Sequence, residues 1–489
     1  MILGIDVSTT ASKALLLGPD GEVKAVASSS HELSTPRPLW SEQDPEDWWS
    51  ATCKAIQAVL SEAQIDASEI RSIGLTGQMH GLVLLDAEGS VIRPAILWND
   101  QRSSAECEYI RECIGLAELV RISGNDAFPG FTAPKLLWVR NNEPQNFERV
   151  AQVLPAKDYI RYRLTGVFGT DRAGAGGTLL LNLASRTWSN DLLELLEIPS
   201  AWLPPTHEGT ETTGIIHTEA TQETGLASGT PVVAGGGDQA AQAVGVGAVS
   251  PSVHALTIGT SGVVFAPCTQ PVTDPRGNMH AFPHAVPGLW HVMGVMLSAA
   301  GSLQWYRDTF AGNVSFDHLV AEAACVSIGC EELTFLPYLS GERTPHANPH
   351  ARGAFVGLTL AHGRGHVTRS VLEGVGFGLL DNQRLLMECG VSAPQSMRAS
   401  GGALKSPIWS QMLADILGTP LEPVQTTEGA AFGAAILAGV GAGVWGSVTE
   451  AVGQTVRTGS PILPDAHRTL QYGQAYDRFR SLYPAINGA

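Results

Sequence analysis

The amino-acid sequence predicts an α/β protein made of two copies of one fold. Three observations predict it. The chain has 489 residues, too many for one ordinary domain and enough for two of about 200 to 250 residues each. An apolar strand, a turn of small residues and a second apolar strand open the chain in "MILGIDVSTTASKALLLG", and "VHALTIGTSGVVFA" (253–266) repeats that opening, as duplicated units do. Both halves then alternate apolar runs with amphipathic segments, the pattern of α/β proteins.

Taken in order, residues 1–30 read as a β-meander, with "GPDG" turning the second strand into a third. A helix follows from Asp44, which caps it, with Pro45 in the first turn and Trp48, Trp49, Ile56, Val59 and Leu60 forming a buried stripe. "IRSIGLTG" and "HGLVLLD" read as strands and "PKLLWVRNN" as a helix. "PVVAGGGDQAAQA" (231–243) runs from an apolar strand through three glycines into an alanine-rich helix. Asp238 therefore stands at a helix start and beyond a strand's carboxyl end, where α/β proteins bind ligands. The boundary between the copies is expected near Gly245–Ser250 as a compact hinge, giving units 1–247 and 248–489. In the second copy, "MRASGGALKSPIWSQMLADILG" (397–418) reads as a strand, a glycine turn and a helix capped by Ser406 with Pro407 in its first position. Residues 430–448 carry no charge and reach the length of a membrane span. Their five glycines instead suit a helix packed tightly inside the protein and ending near Gly439.

Composition narrows the function. A net charge of −17 with no basic cluster would repel nucleic acid and an anionic membrane surface alike. The seven cysteines are scattered and odd in number, with no CxxC pair, which argues against a disulfide framework or a zinc site and for a reducing cytoplasm. The amino terminus has no basic stretch ahead of an apolar one, so no signal peptide is expected.

Five stretches can hold chemistry. In "GIDVSTTASK" (4–13), turn amides and hydroxyls suit phosphate oxygens, and Asp6 suits a magnesium ion through its waters; a capped hairpin would look the same. "LTIGTSG" (256–262) offers a second such turn, and two facing hairpins would grip a polyphosphate. Gly401 and Gly402 let backbone approach a flat ligand, or simply make a tight strand-to-helix turn. Asp238 is either a helix cap or a base; three glycines beside it leave room for a substrate whose hydroxyl it could deprotonate. His80, between two strands, is a polar ligand contact or a surface loop residue.

Together these stretches resemble the FGGY family of carbohydrate kinases over nearly the whole chain. "GFTAPKLLWVRNN" (130–142) and "GAFVGLTLAHGRGHVTRSVLE" (353–373) are similar to its two signatures, and "AGGGDQAA" and "SGGALKSPIW" to its catalytic and adenosine segments. The resemblance implies the actin/hexokinase/Hsp70-like (ribonuclease H-like) fold, with the catalytic cleft between a sugar-binding first domain and a nucleotide-binding second one. It implies ATP as co-substrate, Mg2+ near Asp6, and Asp238 as general base. By similarity Thr9, Thr10, Lys13, Gly259 and Thr260 line the phosphates, Gln304 contacts the nucleotide, and Gly401, Gly402 and Ser406 meet the adenosine. Met79 and His80, with Asp238 and Gln239, hold the sugar. A homodimer is the family expectation.

Within the family, "PLWSEQDPEDWW", "GQMHGLVLLD", "RPAILWNDQR" and "FLPYLSGERTPH" look most like the branch acting on D-xylulose, which implies transfer to O5. Glycerol-phosphorylating members carry Arg-Glu where this chain has Met79 and His80, and tyrosine where it has Gly130, so a longer neutral sugar is expected. Gln239 resembles the glycerol enzymes and leaves ribulose or another ketose or polyol open. The rival class is an ATPase of the same fold without a sugar substrate, because fold alone does not fix function.

Overall fold

A computed structural model describes residues 1–312, 314–426 and 428–487. The first half opens as the hydrophobic pattern requires. Strands β1 (Ile2–Val7), β2 (Ala11–Leu17) and β3 (Val23–Ser30) form an antiparallel meander. Helix α1 (Pro45–Ala63) follows; the Asp44 side chain accepts from the amide of Glu46, and Trp48, Trp49, Ile56 and Val59 are buried. Strand β4 (Ser72–Gly77) then pairs parallel to β1. Helix α2 (Thr132–Asn142) lies in the long excursion before the edge strand β5 (Thr212–Ile215), β6 (Pro231–Val233) and the short β7 (Gly236–Gly237), both of the last two parallel to β4. Helix α3 (Asp238–Val246) leaves the end of β7 directly.

The second half repeats this order. Strands β8 (Val253–Ile258) and β9 (Gly262–Cys268) make the hairpin, β10 (His280–Pro283) adds an edge, and β11 (Trp290–Met296) pairs with β9 to complete the meander. After helices α4 (Ala300–Tyr306) and α5 (Arg364–Glu388), β12 (Ser396–Ser400) joins β8 in parallel. Helix α6 (Pro407–Leu417) leads to β13 (Leu421–Pro423), parallel to β12, and helix α7 (Gly429–Gly441) follows. The two sheets run β3-β2-β1-β4-β6 and β11-β9-β8-β12-β13 at their centres, so the duplication read from two hairpins extends to whole sheets.

Helix α7 explains the uncharged segment. It packs on the first half's sheet, with Ala431, Phe432, Ala435 and Ile436 against Ile2, Leu15, Leu17, Val233, Ala240 and Val244. Its small residues are required by backbone contact. A Cβ on Gly4 or Gly74 would lie 2.1 or 1.9 Å from the carbonyl oxygens of Ala431 and Ala434. Where α3 and α7 cross, a Cβ on Gly245 or Gly433 would lie 1.9 Å from the carbonyls of Gly429 and Ala241. The helix ends at Gly441, two residues past the expected stop. Among the described residues no helix is long and apolar enough to cross a membrane, and all seven cysteines are free.

Candidate active site

The carboxyl ends of β1, β4 and β7 bring the acids together. Register pairs Asp6 with Thr76 and Thr76 with Gly236, so Asp6 and the loop leading to Asp238 flank β4, each about 5 Å from it. Asp238 is the first residue of α3 and not its cap; the cap position belongs to Gly237, and one Asp238 oxygen accepts from the Gln239 amide at 2.8 Å. Asp238 as a residue is only partly buried, yet burial, aided by the charge of Asp6, pushes its carboxyl up to about 7. Burial likewise lifts Asp6 to about 6, opposed by Lys13.

The three glycines before Asp238 correct the sequence reading. They make room for protein and not for substrate. Gly235, at φ +73°, would set a Cβ 1.8 Å from the Leu75 carbonyl; Gly236 meets Ala285 at 2.8 Å, and Gly237 meets the Met79 side chain at 2.8 Å. The strand end is so crowded that only glycine lets Asp238 arrive beside β4.

A cavity of about 790 Å³ lies between the halves, lined by His80, Trp98, Gln101, Phe128, Gly130 and Phe131 from the first and by His280, Leu297, Glu342 and Arg343 from the second. His80 adopts φ +70°. Its carbonyl accepts from the Thr132 hydroxyl at 3.0 Å and the Lys135 ammonium at 2.6 Å. The fully buried Lys135 also binds the carbonyls of Ile96 and Leu97, both at 3.1 Å. The imidazole Nδ1 donates to the Gly177 carbonyl at 2.7 Å, since a carbonyl can only accept, which leaves Nε2 as an acceptor. Burial pushes the ring down to about 3, so it stays neutral, and it packs 4.5 Å from the Phe131 ring. Met79 does not line the cavity: it is buried, filling the space beside Gly177 and Gly237. Gly130 has no room for a side chain, because a Cβ would lie 2.3 Å from the Trp98 carbonyl.

Trp98 connects this cavity to the first hairpin. Its indole donates to the Thr9 hydroxyl at 2.9 Å. Thr10 is exposed at the same turn, whereas Lys13, opposite Asp6 in register, is held in an ion pair with Glu428, the residue that precedes α7.

A second cavity, of about 620 Å³, belongs to the second half. Gly259, Thr260, Gln304, Gly402 and Ser406 line it, together with Leu303, Phe316 and Trp409. The β8–β9 turn is stapled to α4, with Ala300 donating to the Gly259 carbonyl at 2.9 Å and Ala299 to Thr260 at 2.8 Å. Ser406 caps α6 by accepting from the Trp409 amide. The two glycines of "SGGAL" separate here. Gly402 faces open space, but a Cβ on Gly401, at φ +109°, would lie 2.2 Å from the Ile258 carbonyl; Gly401 is needed by backbone packing and does not line the cavity.

Sequence reasoning missed Lys135, Trp98, Phe131, His280 and Arg343. A lysine inside the apolar run "PKLLWV" was a legible sign for the first; the others meet only in three dimensions.

The chain is similar to known proteins in sequence and fold. The xylulose kinase of Escherichia coli (strain K12) is 44% identical over 487 residues, covering 99% of both chains. The crystal structure of a xylulose kinase from Brucella ovis superposes with a TM-score of 0.94 at 39% identity, over 99% of each chain. A gluconate kinase structure from Lactobacillus acidophilus gives 0.95 at 29% identity, over 100% of this chain and 98% of its own. The N-terminal-domain model of the FGGY family of carbohydrate kinases matches residues 1–245 and the C-terminal-domain model residues 254–442. A duplicated fold, two acids at the strand ends, a cavity between the halves and another in the second half are thus found in a chain that belongs to the FGGY family of carbohydrate kinases.

Proposed function

We propose that this chain transfers the γ-phosphoryl group of ATP to O5 of D-xylulose, yielding D-xylulose 5-phosphate and ADP. Asp238 carries the reading: one carboxylate tuned to about 7, where a general base works best near neutral pH. The choice of D-xylulose is supported by the relatives named above and by a cavity whose polar wall includes a neutral imidazole acceptor, His80, beside aromatic rings.

ATP enters the second half's cavity with its adenosine against Gly402 and Ser406 and its phosphates towards the turns of Thr260 and Thr9–Thr10. The sugar enters the first cavity, with its hydroxyls towards His80 and Gln239. Asp238 takes the O5 proton as O5 attacks the γ-phosphorus; the bond from phosphorus to the bridging oxygen breaks, ADP leaves with that electron pair, and Asp238 returns its proton to water. Closure of the halves would exclude water from the γ-phosphate.

Asp6 fits a hydrated magnesium ion. Its Oδ1 is buried without a hydrogen-bond partner, as is the hydroxyl of its register neighbour Thr76. Among the described residues no three His, Cys, Asp or Glu side chains gather to hold a metal by themselves, so phosphate and water oxygens would complete the shell, as magnesium prefers. When bound, the ion supplies neutralising charge to the phosphates.

The test is ADP release with MgATP and D-xylulose, D-ribulose, L-ribulose, gluconate and glycerol. Highest kcat/KM with D-xylulose is expected. A higher value with another acceptor would discard the substrate, and ADP release independent of any acceptor would discard the kinase reading.

A further inference from the structure

Every sugar contact considered so far comes from the first half, yet a guanidinium from the second half reaches the same cavity. Arg343 lines it beside His80, Phe128 and His280, and lies close enough to both imidazoles to oppose their protonation. Among the described residues it forms no ion pair. Its ring neighbour is Phe128, with the guanidinium carbon 5.7 Å from the centroid.

The obvious counter-charge is occupied elsewhere. One oxygen of Glu342 accepts from the backbone amides of Leu297 at 3.0 Å and Arg343 at 2.7 Å. Burial pushes this carboxyl up to about 8, opposed by those two amides and by Arg343, and its charge in turn opposes the lowering of Arg343 by burial, yet among the described residues the two side chains form no ion pair. The following residue is fixed too. The Thr344 amide donates to the Val295 carbonyl at 3.0 Å, and its hydroxyl accepts from the Val295 amide at 3.1 Å while donating to the Asn278 carbonyl at 2.8 Å. The loop is therefore anchored on both sides of Arg343, to Leu297 just past β11 and to Val295 within it. A half-buried guanidinium on an anchored loop, facing the cavity with no ion-pair partner among the described residues, has donors to offer a ligand that supplies acceptors.

We infer that Arg343 is a substrate-binding residue contributed by the second half, its planar fork donating to two adjacent oxygens of the bound sugar. Recognition of the sugar then requires both halves, and a sugar bound to the first half alone is held weakly. Adjacent hydroxyl or carbonyl oxygens match the spacing of a guanidinium fork. This inference rests on the sugar kinase reading above.

The experiment compares Arg343→Ala and Arg343→Lys with the parent enzyme, using D-xylulose and MgATP. Losing a charge-assisted contact should raise the sugar KM about ten- to a hundredfold in the alanine variant. The ATP KM should stay within about twofold, since the lost contact is made to the sugar and not to the nucleotide. Lysine should restore part of the loss, and millimolar guanidinium should partly rescue the alanine variant alone. Unaltered thermal midpoints confirm folding. An unchanged sugar KM, or equal rises in both KM values without rescue, overturns the inference. Failure of the function is read separately, because the parent enzyme would then phosphorylate no ketose.

Discussion

Replacing Asp238 by asparagine separates stability from catalysis in opposite directions. The carboxyl is lifted from 3.8 to about 7 by burial and by Asp6. That lift corresponds to about 4 kcal/mol of disfavoured ionisation in the folded state. The sign follows from linkage: a folded state that holds its proton more tightly than the unfolded chain loses stability as pH rises from about 4 to about 7. Below that window both states are protonated; above it the full penalty is present. The Asn amide keeps the acceptor for the Gln239 amide and removes the charge. Because Asp238 is only partly buried, we take about 1–2 kcal/mol as the gain above pH 7, a rise of roughly 1–2 °C in Tm for a chain of this length. Turnover should fall about a hundred- to ten-thousandfold, the usual worth of a general base. Thermal melts at about pH 4.5 and about pH 8, near the foot of the linkage window and above it, with ADP release at about pH 8, read both effects. A variant less stable than the parent at high pH, or one within about tenfold of parental turnover, would refute the reasoning.

Parental kcat/KM should fall about tenfold per pH unit below about 7, as Asp238 takes up its proton; a flat profile to pH 5.5 would deny it the base role. His80→Asn should raise the sugar KM while adding or removing no inflection near neutrality, because the imidazole is already neutral there. Gly402→Leu should raise the ATP KM about tenfold with little change in Tm, whereas Gly401→Ala should cost about 2–4 kcal/mol through its left-handed backbone and the Ile258 carbonyl. Gly433→Val forces a Cβ into the Ala241 carbonyl and should destabilise by at least about 3 kcal/mol, read as a lower Tm or loss of folded protein.

What was legible in the sequence was mainly local. The hairpins, the cap at Asp44, the helix starting at Asp238 and the cap at Ser406 follow from turn residues and apolar periodicity, and they appear where those signals put them. The purpose of the glycines was not legible. Gly235, Gly237 and Gly401 suggested ligand space, but a missing side chain records a close approach without naming what approaches; here it is Leu75, Met79 and Ile258. Lys13 looks free as a position beside Asp6, and its partner Glu428 lies 415 residues away. Arg343 sits inside the quoted stretch "FLPYLSGERTPH", but neither that stretch nor the surroundings of His280 say which cavity they face, since that arises only when the second half folds against the first.

Helix α7 also governs how the chain can be made. It belongs by position to the second half, yet its residues complete the core beneath Ile2, Leu15 and Val233. A ribosome that has released residues 1–247 has exposed a sheet face with nothing to cover it, and that face must wait for some 190 further residues, the kind of transient apolar surface that chaperones hold. The first half expressed alone should therefore aggregate, while co-expression with residues 248–489 should recover both. A gene split at the hinge can work only as a pair.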